Sequence, residues 1–420
     1  MNCKALFAAA GLALLSASTA LAGDVRIMWY SDGNEGEVLK DLISRFSKDN
    51  PDINVIVDEV AYSVIKEQLP VQLAAGNGPD IARVTDIKNL AQYWLDLTPY
   101  LSDPVSWVKN YEDQADWMRL DGSPAITGFM TQITLTGGFA NKTLFEQAGV
   151  PLPGPGATWS DWVEASKKVA ESQQLPYAFA IDRSGHRIAG PAISYGAGFI
   201  GPKGLPNEVD DGMKAFIADF VKWNNEGLHA KDVWVSAAGT TYRPAADDFI
   251  NAQVPFYYSG SWQVANLATK IDDAFDWVAT GSPCGQAACT GMPGGAAVVA
   301  MKDTKNPKEV ARVMEYLAST PVAKEFAERT LFLPANKEVI AGGLNFQTDS
   351  QTVKDVLNTF VQASSTTAVE ALKLPAWKYA GSYYGALVSR VSQVIAGELT
   401  LDDGYARINS DMAEKVKEAQ

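Results

Sequence analysis

Val254-Pro255-Phe256-Tyr257-Tyr258-Ser259-Gly260-Ser261-Trp262-Gln263 begins as a short, aromatic-rich apolar run and ends in a small-residue turn. The run reads as a buried strand. After Ser-Gly-Ser, apolar residues recur at helical spacing, predicting a helix over 262–271. A strand that turns through small residues into a helix is where α/β proteins place ligand sites. Trp262 stands at that turn and can offer a flat apolar face. A core aromatic at a helix start is the alternative reading.

Outward from this stretch, strand-like and helix-like segments alternate. Val25 to Tyr30 reads as a strand that stops at the polar turn Ser31-Asp32-Gly33-Asn34-Glu35-Gly36. Val38, Leu39, Leu42, Ile43 and Phe46 then fall on one helical face, and Asn50-Pro51 ends that helix. Ile53 to Val60 alternates as a second strand, Ser63 to Ala75 reads as a helix, and Asp80 to Val84 as a third strand. Asp121-Gly122 resembles a tight hairpin turn. Thr158 or Ser160 is positioned to cap a long helix, and 213–226 predicts another. A strand over Ala296–Met301 and helices from Pro307 and Pro321 follow, and 351–420 is mostly helical. This alternation predicts an α/β fold with a sheet covered on both faces. No low-complexity linker or internal repeat is visible.

The first residues set an expected compartment. Lys4 precedes an uncharged run from Ala5 to Leu15, and Ala20-Leu21-Ala22 stands before Gly23-Asp24. This is the pattern of a secretory signal peptide over 1–22, cleaved after Ala22. It is too short and too alanine-rich for a good membrane span. The formal net charge of −14 argues against nucleic acid and anionic membranes as partners, because both need a positive surface. With 47% hydrophobic residues, there is enough core for two domains. Of the three cysteines, Cys3 lies in the signal segment. Cys284 and Cys289 read as a disulfide closing a small loop. Two free thiols, or half of a metal site, are the alternatives; the loop has no His, Asp or Glu, so metal is the weakest.

Four segments carry a family resemblance. Ala75-Gly76-Asn77-Gly78-Pro79-Asp80-Ile81 is similar to a Gly-x-x-Pro-Asp turn. Ala140-Asn141-Lys142-Thr143-Leu144-Phe145-Glu146-Gln147-Ala148-Gly149-Val150 resembles Tyr-Asn-Lys-x-Leu-Phe-x-x-x-Gly, with Trp159-Ser160-Asp161-Trp162 downstream. Ser259-Gly260-Ser261-Trp262 is similar to Gly-x-Trp. Pro293-Gly294-Gly295, Lys305 to Ala311 and Leu333-Pro334-Ala335-Asn336 complete the set. In this order and spacing the chain resembles the family 1 extracellular solute-binding proteins, the maltose-binding-protein-like receptors of ABC importers. It departs at Phe139-Ala140, where Tyr-Tyr or Leu-Tyr is usual. It departs again at Thr85, Asp86, Ile87 and Lys88, where maltose-type receptors carry charged groups. The departures bear on which sugar is bound.

The resemblance implies a type II, two-lobe periplasmic binding protein fold with a ligand cleft, crossed three times by the chain. One lobe would hold 24–130 and 295–330, the other 131–290 and 335–420. It implies a monomeric receptor in the periplasm that closes on a carbohydrate by a hinge motion and delivers it to an ABC permease, without cofactor, metal or catalysis. A sugar needs aromatic faces for its C–H surfaces and hydrogen-bond partners for its hydroxyls. The candidates are Trp262 with Gly260, then Trp377 and Tyr379 as late aromatics. Asp32, Asn34, Thr85 and Asp86 follow strands and can bind hydroxyls. Gly294 and Gly295 permit close backbone approach. Ser63, Gly185 and Thr240 could hold an oxyanion, which would suit a sulfonated or phosphorylated sugar or glycerol derivative. The resemblance also implies that the clusters Asp182–Arg187 and Thr240–Arg243 face the cleft. Each candidate has a structural alternative: helix cap for Asp32, core for Trp377, surface salt bridging for these clusters. His186 and His229 read as structural or surface residues. A secreted carbohydrate-active enzyme is the reading from another class, but no Gly-x-Ser-x-Gly elbow is present. A receptor for a polyamine or a metal is a third possibility.

Overall fold

The computed structural model describes residues 23–236, 242–364 and 366–418. Eight strands define it: β1 (Gly23–Trp29), β2 (Ile53–Glu59), β3 (Ile81–Val84), β4 (Gly128–Asn141), β5 (Phe179–Ile181), β6 (Phe256–Gly260), β7 (Trp277–Gly281) and β8 (Pro293–Ala300). The order is β2-β1-β3-β8-β4-β6-β5, with β7 also on β4. β1 pairs in parallel with β2 and β3, and β5 with β6; the pairs made by β8 and β4 are antiparallel.

The alternation within β1 shows why the first part of the sheet is buried on both faces. Val25, Ile27 and Trp29 join Val38, Leu39, Leu42 and Phe46 of the helix Glu35–Asp49. Met28 and Tyr30 point the other way, toward Leu69, Leu73 and Val84. Such a sheet reads as mixed apolar runs in sequence rather than strict alternation. The second part of the sheet has its own larger core, with Trp159, Trp162, Phe179, Phe216, Tyr257 and Tyr258. All five residues of β6 are buried.

β4 joins the two parts. Its residues Gly128 to Leu135 pair with β8, and Thr136 to Ala140 pair with β6. The ladder with β8 shifts between Met130 and Gln132. Gly295, opposite Ile133, has φ +156°, and a Cβ there would meet the Gln132 carbonyl oxygen at 2.2 Å. Beside it, Ile133 N donates to the Leu333 carbonyl at 2.9 Å.

Several sequence expectations are refined. The helix expected over 63–75 is two short helices, Tyr62–Glu67 and Leu69–Ala74. Pro70 lacks the N–H that would continue the first, so the chain restarts with it near the new N-terminus. Asp121-Gly122 is a turn, but a helix (Ala115–Met118) precedes it, so no hairpin forms. Residues 261–263 form a 3₁₀ turn, and the α-helix follows as Val264–Ile271. Thr158 is the cap, in a reciprocal capping box with Asp161. Cys284 and Cys289 are joined as a disulfide. The signal segment 1–22 lies outside the described residues, as does Thr240.

Candidate functional site

A cavity of about 350 Å³ lies between the two parts of the sheet. The segments that line it follow the carboxyl ends of parallel strands. Tyr30 and Asp32 follow β1, Thr85 to Asn89 follow β3, Asp182 to Arg187 follow β5, and Trp262 and Gln263 follow β6. Side chains leaving several strand ends converge there, as in other open α/β sheets. Gln132, Thr134 and Thr136 of β4 and Gly294 and Gly295 of β8 supply the wall between them.

Beneath Asp32 lies a buried charge. Arg83, in the middle of β3, is fully buried. It donates to the Tyr30 carbonyl (2.6 Å), Glu35 Oε1 (3.3 Å) and Gln132 Oε1 (2.9 Å). Its guanidinium lies 4.2 Å from the Tyr30 ring centroid and 3.6 Å from Asp32 Oδ2. Glu35 also accepts from the backbone N–H of Asp32 (3.0 Å) and Gly33 (2.5 Å), which fixes the turn after β1. Burial pushes the Asp32 carboxyl up to about 6, with Arg83 opposing and Glu35 adding to the rise.

The opposite wall carries Asp182, Arg183, His186 and Arg187. Asp182 accepts from Tyr257 Oη (2.8 Å), Ser259 Oγ (2.5 Å) and Arg187 (3.2 Å). Burial, then the charges of Arg187 and Lys66, bring His186 down to about 3, so it is neutral at neutral pH. Its ring packs 4.4 Å from that of Tyr384. The Tyr384 hydroxyl and the Nε atoms of Arg183 and Arg187 are buried with no hydrogen-bond partner among the described residues. Tyr62 Oη and Thr85 Oγ1 share a hydrogen bond of 2.8 Å, and Lys66 pairs with Asp86.

Six of the residues singled out in the sequence line this cavity: Asp32, Thr85, Asp86, Trp262, Gly294 and Gly295. Asn34 turns away and donates to the Arg329 carbonyl. Ser63 is exposed and outside the lining. Gly185 packs under Tyr384, and Gly260 under Trp262. Trp377 and Tyr379 are buried in the second core, where Trp377 Nε1 donates to the Gly204 carbonyl at 2.8 Å. An apolar residue between two helical segments fits a core as well as a cleft, so their sequence did not separate the two. Lining residues not expected there from the sequence include Trp117, Gln132, Thr134 and Tyr384. Of the cluster Asp182–Arg187, all but Gly185 line the cavity, His186 among them. No motif marks these residues; tertiary packing brings them to the cavity.

Among the described residues, no cluster of three or more metal-ligating side chains occurs, and no helix is long and apolar enough to cross a membrane. A model of the family described as bacterial extracellular solute-binding protein matches residues 30–324. A binding protein of Brucella abortus (strain 2308) is 23% identical over 352 residues, covering 78% of this chain and 80% of its own. Among solved structures, the GacH receptor of Streptomyces glaucescens GLA.O, studied with acarbose, superposes with TM-score 0.77 at 17% identity, over 94% of this chain and 99% of its own. An ABC substrate-binding protein of Listeria monocytogenes in complex with cycloalternan gives TM-score 0.77 at 17% identity, with the same coverage.

Proposed function

Because the chain belongs to the bacterial extracellular solute-binding protein family, we propose that it is the receptor of a sugar ABC importer. It captures a mono- or oligosaccharide, or a sugar derivative, in the cleft and delivers it to a membrane permease. The carrying observation is the cavity of about 350 Å³, which combines aromatic rings with carboxylates, hydroxyls, amides and two arginines. That mixture matches the two kinds of surface a sugar presents. The fold shared with receptors studied with acarbose and cycloalternan supports the ligand class. The lobes are 24–130 with 295–330, and 131–290 with 335–420, closing by a hinge. Export through the 1–22 segment places the protein in the periplasm as a monomer. It binds without turning its ligand over.

Isothermal calorimetry with glucose, lactose and maltose, followed by product analysis, tests this. Saturable binding without turnover is expected; turnover makes the protein an enzyme, and failure of every sugar to bind overturns the ligand class. A second reading has its own observation: Arg183 and Arg187 bring two guanidinium groups to the cavity wall. It is a receptor for a sulfonated or phosphorylated sugar or glycerol derivative. Titration with glucose 6-phosphate and glycerol 3-phosphate beside the neutral sugars separates the two.

A further inference from the structure

A guanidinium lies over the ring of Trp262, where a sugar was expected to stack. The Arg187 guanidinium lies 4.3 Å from the ring centroid. The six-membered ring rests on Gly260, where a Cβ would come within 2.0 Å of it. The indole also packs against the apolar core beside β1. Arg187 is held from a second side by Asp182, itself fixed by Tyr257 and Ser259. A guanidinium pinned by a carboxylate and a ring face keeps its plane, so its remaining N–H groups form a rigid fork. Its Nε is buried without a partner among the described residues, so the exposed part of the guanidinium is what faces the cavity. Across the cavity, Asp32 faces the same charge.

Resting on the receptor reading above, we infer that Arg187 is the residue that grips ligand oxygens in this cleft. Trp262 is its positioning residue, a platform for the guanidinium and not a sugar-stacking surface. Ligand oxygens then sit between Arg187 on one wall and Asp32 on the other, so the grip draws on both sides of the cleft. Arg is suited to this because its planar fork can meet two adjacent oxygens at once, which a lysine ammonium cannot do.

The test is a double-mutant cycle on the full chain with Trp262→Leu, Arg187→Met and the pair combined, plus Trp262→Phe. Thermal unfolding without ligand reads the platform. The two single changes are expected to couple, the combined shift in Tm being smaller than their sum. Calorimetry with the neutral and anionic sugars named above reads the grip. Each of Trp262→Leu and Arg187→Met is expected to weaken binding by roughly tenfold or more, the pair no more than Arg187→Met alone. Trp262→Phe keeps a ring under the guanidinium and should stay within about threefold of the parent. Additive unfolding shifts, additive binding losses, or weakened binding in Trp262→Leu with Arg187→Met unchanged would overturn the inference. If no sugar binds the parent protein, the receptor reading and the grip fall together, while the unfolding cycle still decides whether Trp262 holds Arg187.

Discussion

Arg83 and Asp32 make the floor of the cleft a problem in charge burial. Arg83 has no exposure, and Glu35, its partner, has none either. Removing one member of such a pair leaves the other charge uncompensated, which costs about 3–5 kcal/mol. Arg83→Leu should therefore lower the free energy of urea unfolding by about 3 kcal/mol or more, and a change below 1 kcal/mol would mean that Glu35 finds water. Asp32 gives a pH signature. Its carboxyl, at about 6 in the folded chain against an ordinary 3.8, holds its proton more tightly folded than unfolded. The stability this contributes is complete below the unfolded value and is lost as pH rises through about 6. Asp32→Asn should thus gain on the parent between about pH 4 and pH 7. The side chain is still 25% exposed, so the gain should not exceed roughly 2 kcal/mol. Parallel urea titrations across that range check it; a difference that stays flat with pH would locate the raised pKa elsewhere.

At the level of elements, the site depends on how β4, β8 and the loop before β8 are held. The disulfide closes a small ring between Cys284 and Cys289. Cys284 exchanges backbone hydrogen bonds with Ala157 and Trp159, and Ala287 and Ala288 donate to the Ser194 carbonyl. A ring this short removes limited chain entropy, about 2 kcal/mol. The Cys284→Ser/Cys289→Ser protein should lose about that much in denaturant yet remain folded, with faster amide exchange confined to 284–292. Loss of the whole fold would give the bridge a larger part than its loop length supports. The helix Glu35–Asp49 and the strands around it were legible because their apolar residues follow the periods of helix and strand. β4 was only partly so: Gln132 to Thr136 alternates, but Gly137-Gly138 break the pattern, and its role of joining the two parts comes from pairing with β8 and then β6. The same limit applies within the site. Asp32, Thr85 and Asp86 were readable because each follows a strand, whereas Tyr384 and Trp117 reach the cavity from helices distant in sequence. Trp262 lines the cavity, but its cover by Arg187 depends on a residue 75 positions earlier, in the helix His186–Ser194.

For the whole molecule, the closing motion proposed above has a mechanical contact at the cleft rim. Gly381, at the start of the helix Ala380–Ala396, belongs to one proposed lobe, and Asn89, after β3, to the other. Both line the cavity. A Cβ at Gly381 would come within 1.9 Å of Asn89 Nδ2, so the lobes touch where the residue has no side chain. Nearby, the helix Ala115–Met118 meets the turn Leu374–Ala376, so this rim is closed over several residues. A methyl at 381 can be accommodated by rotation of the Asn89 amide, which is flexible at its end. A larger side chain such as leucine must displace the whole Asn89 side chain, whose Cγ lies 2.8 Å from the Cβ position. Gly381→Leu should therefore prop the cleft open: the free protein gains radius of gyration in small-angle scattering and sugar affinity falls by roughly tenfold. Stability should change little, because the residue lies at the rim and outside the core. Truncating the opposing amide, as Asn89→Ala in the same chain, should return part of both. If Gly381→Leu scatters like the parent and binds as well, this rim does not limit closure and the lobes meet elsewhere. If it opens the molecule but Asn89→Ala restores nothing, the wedge presses on the helix Ala115–Met118 instead of on Asn89.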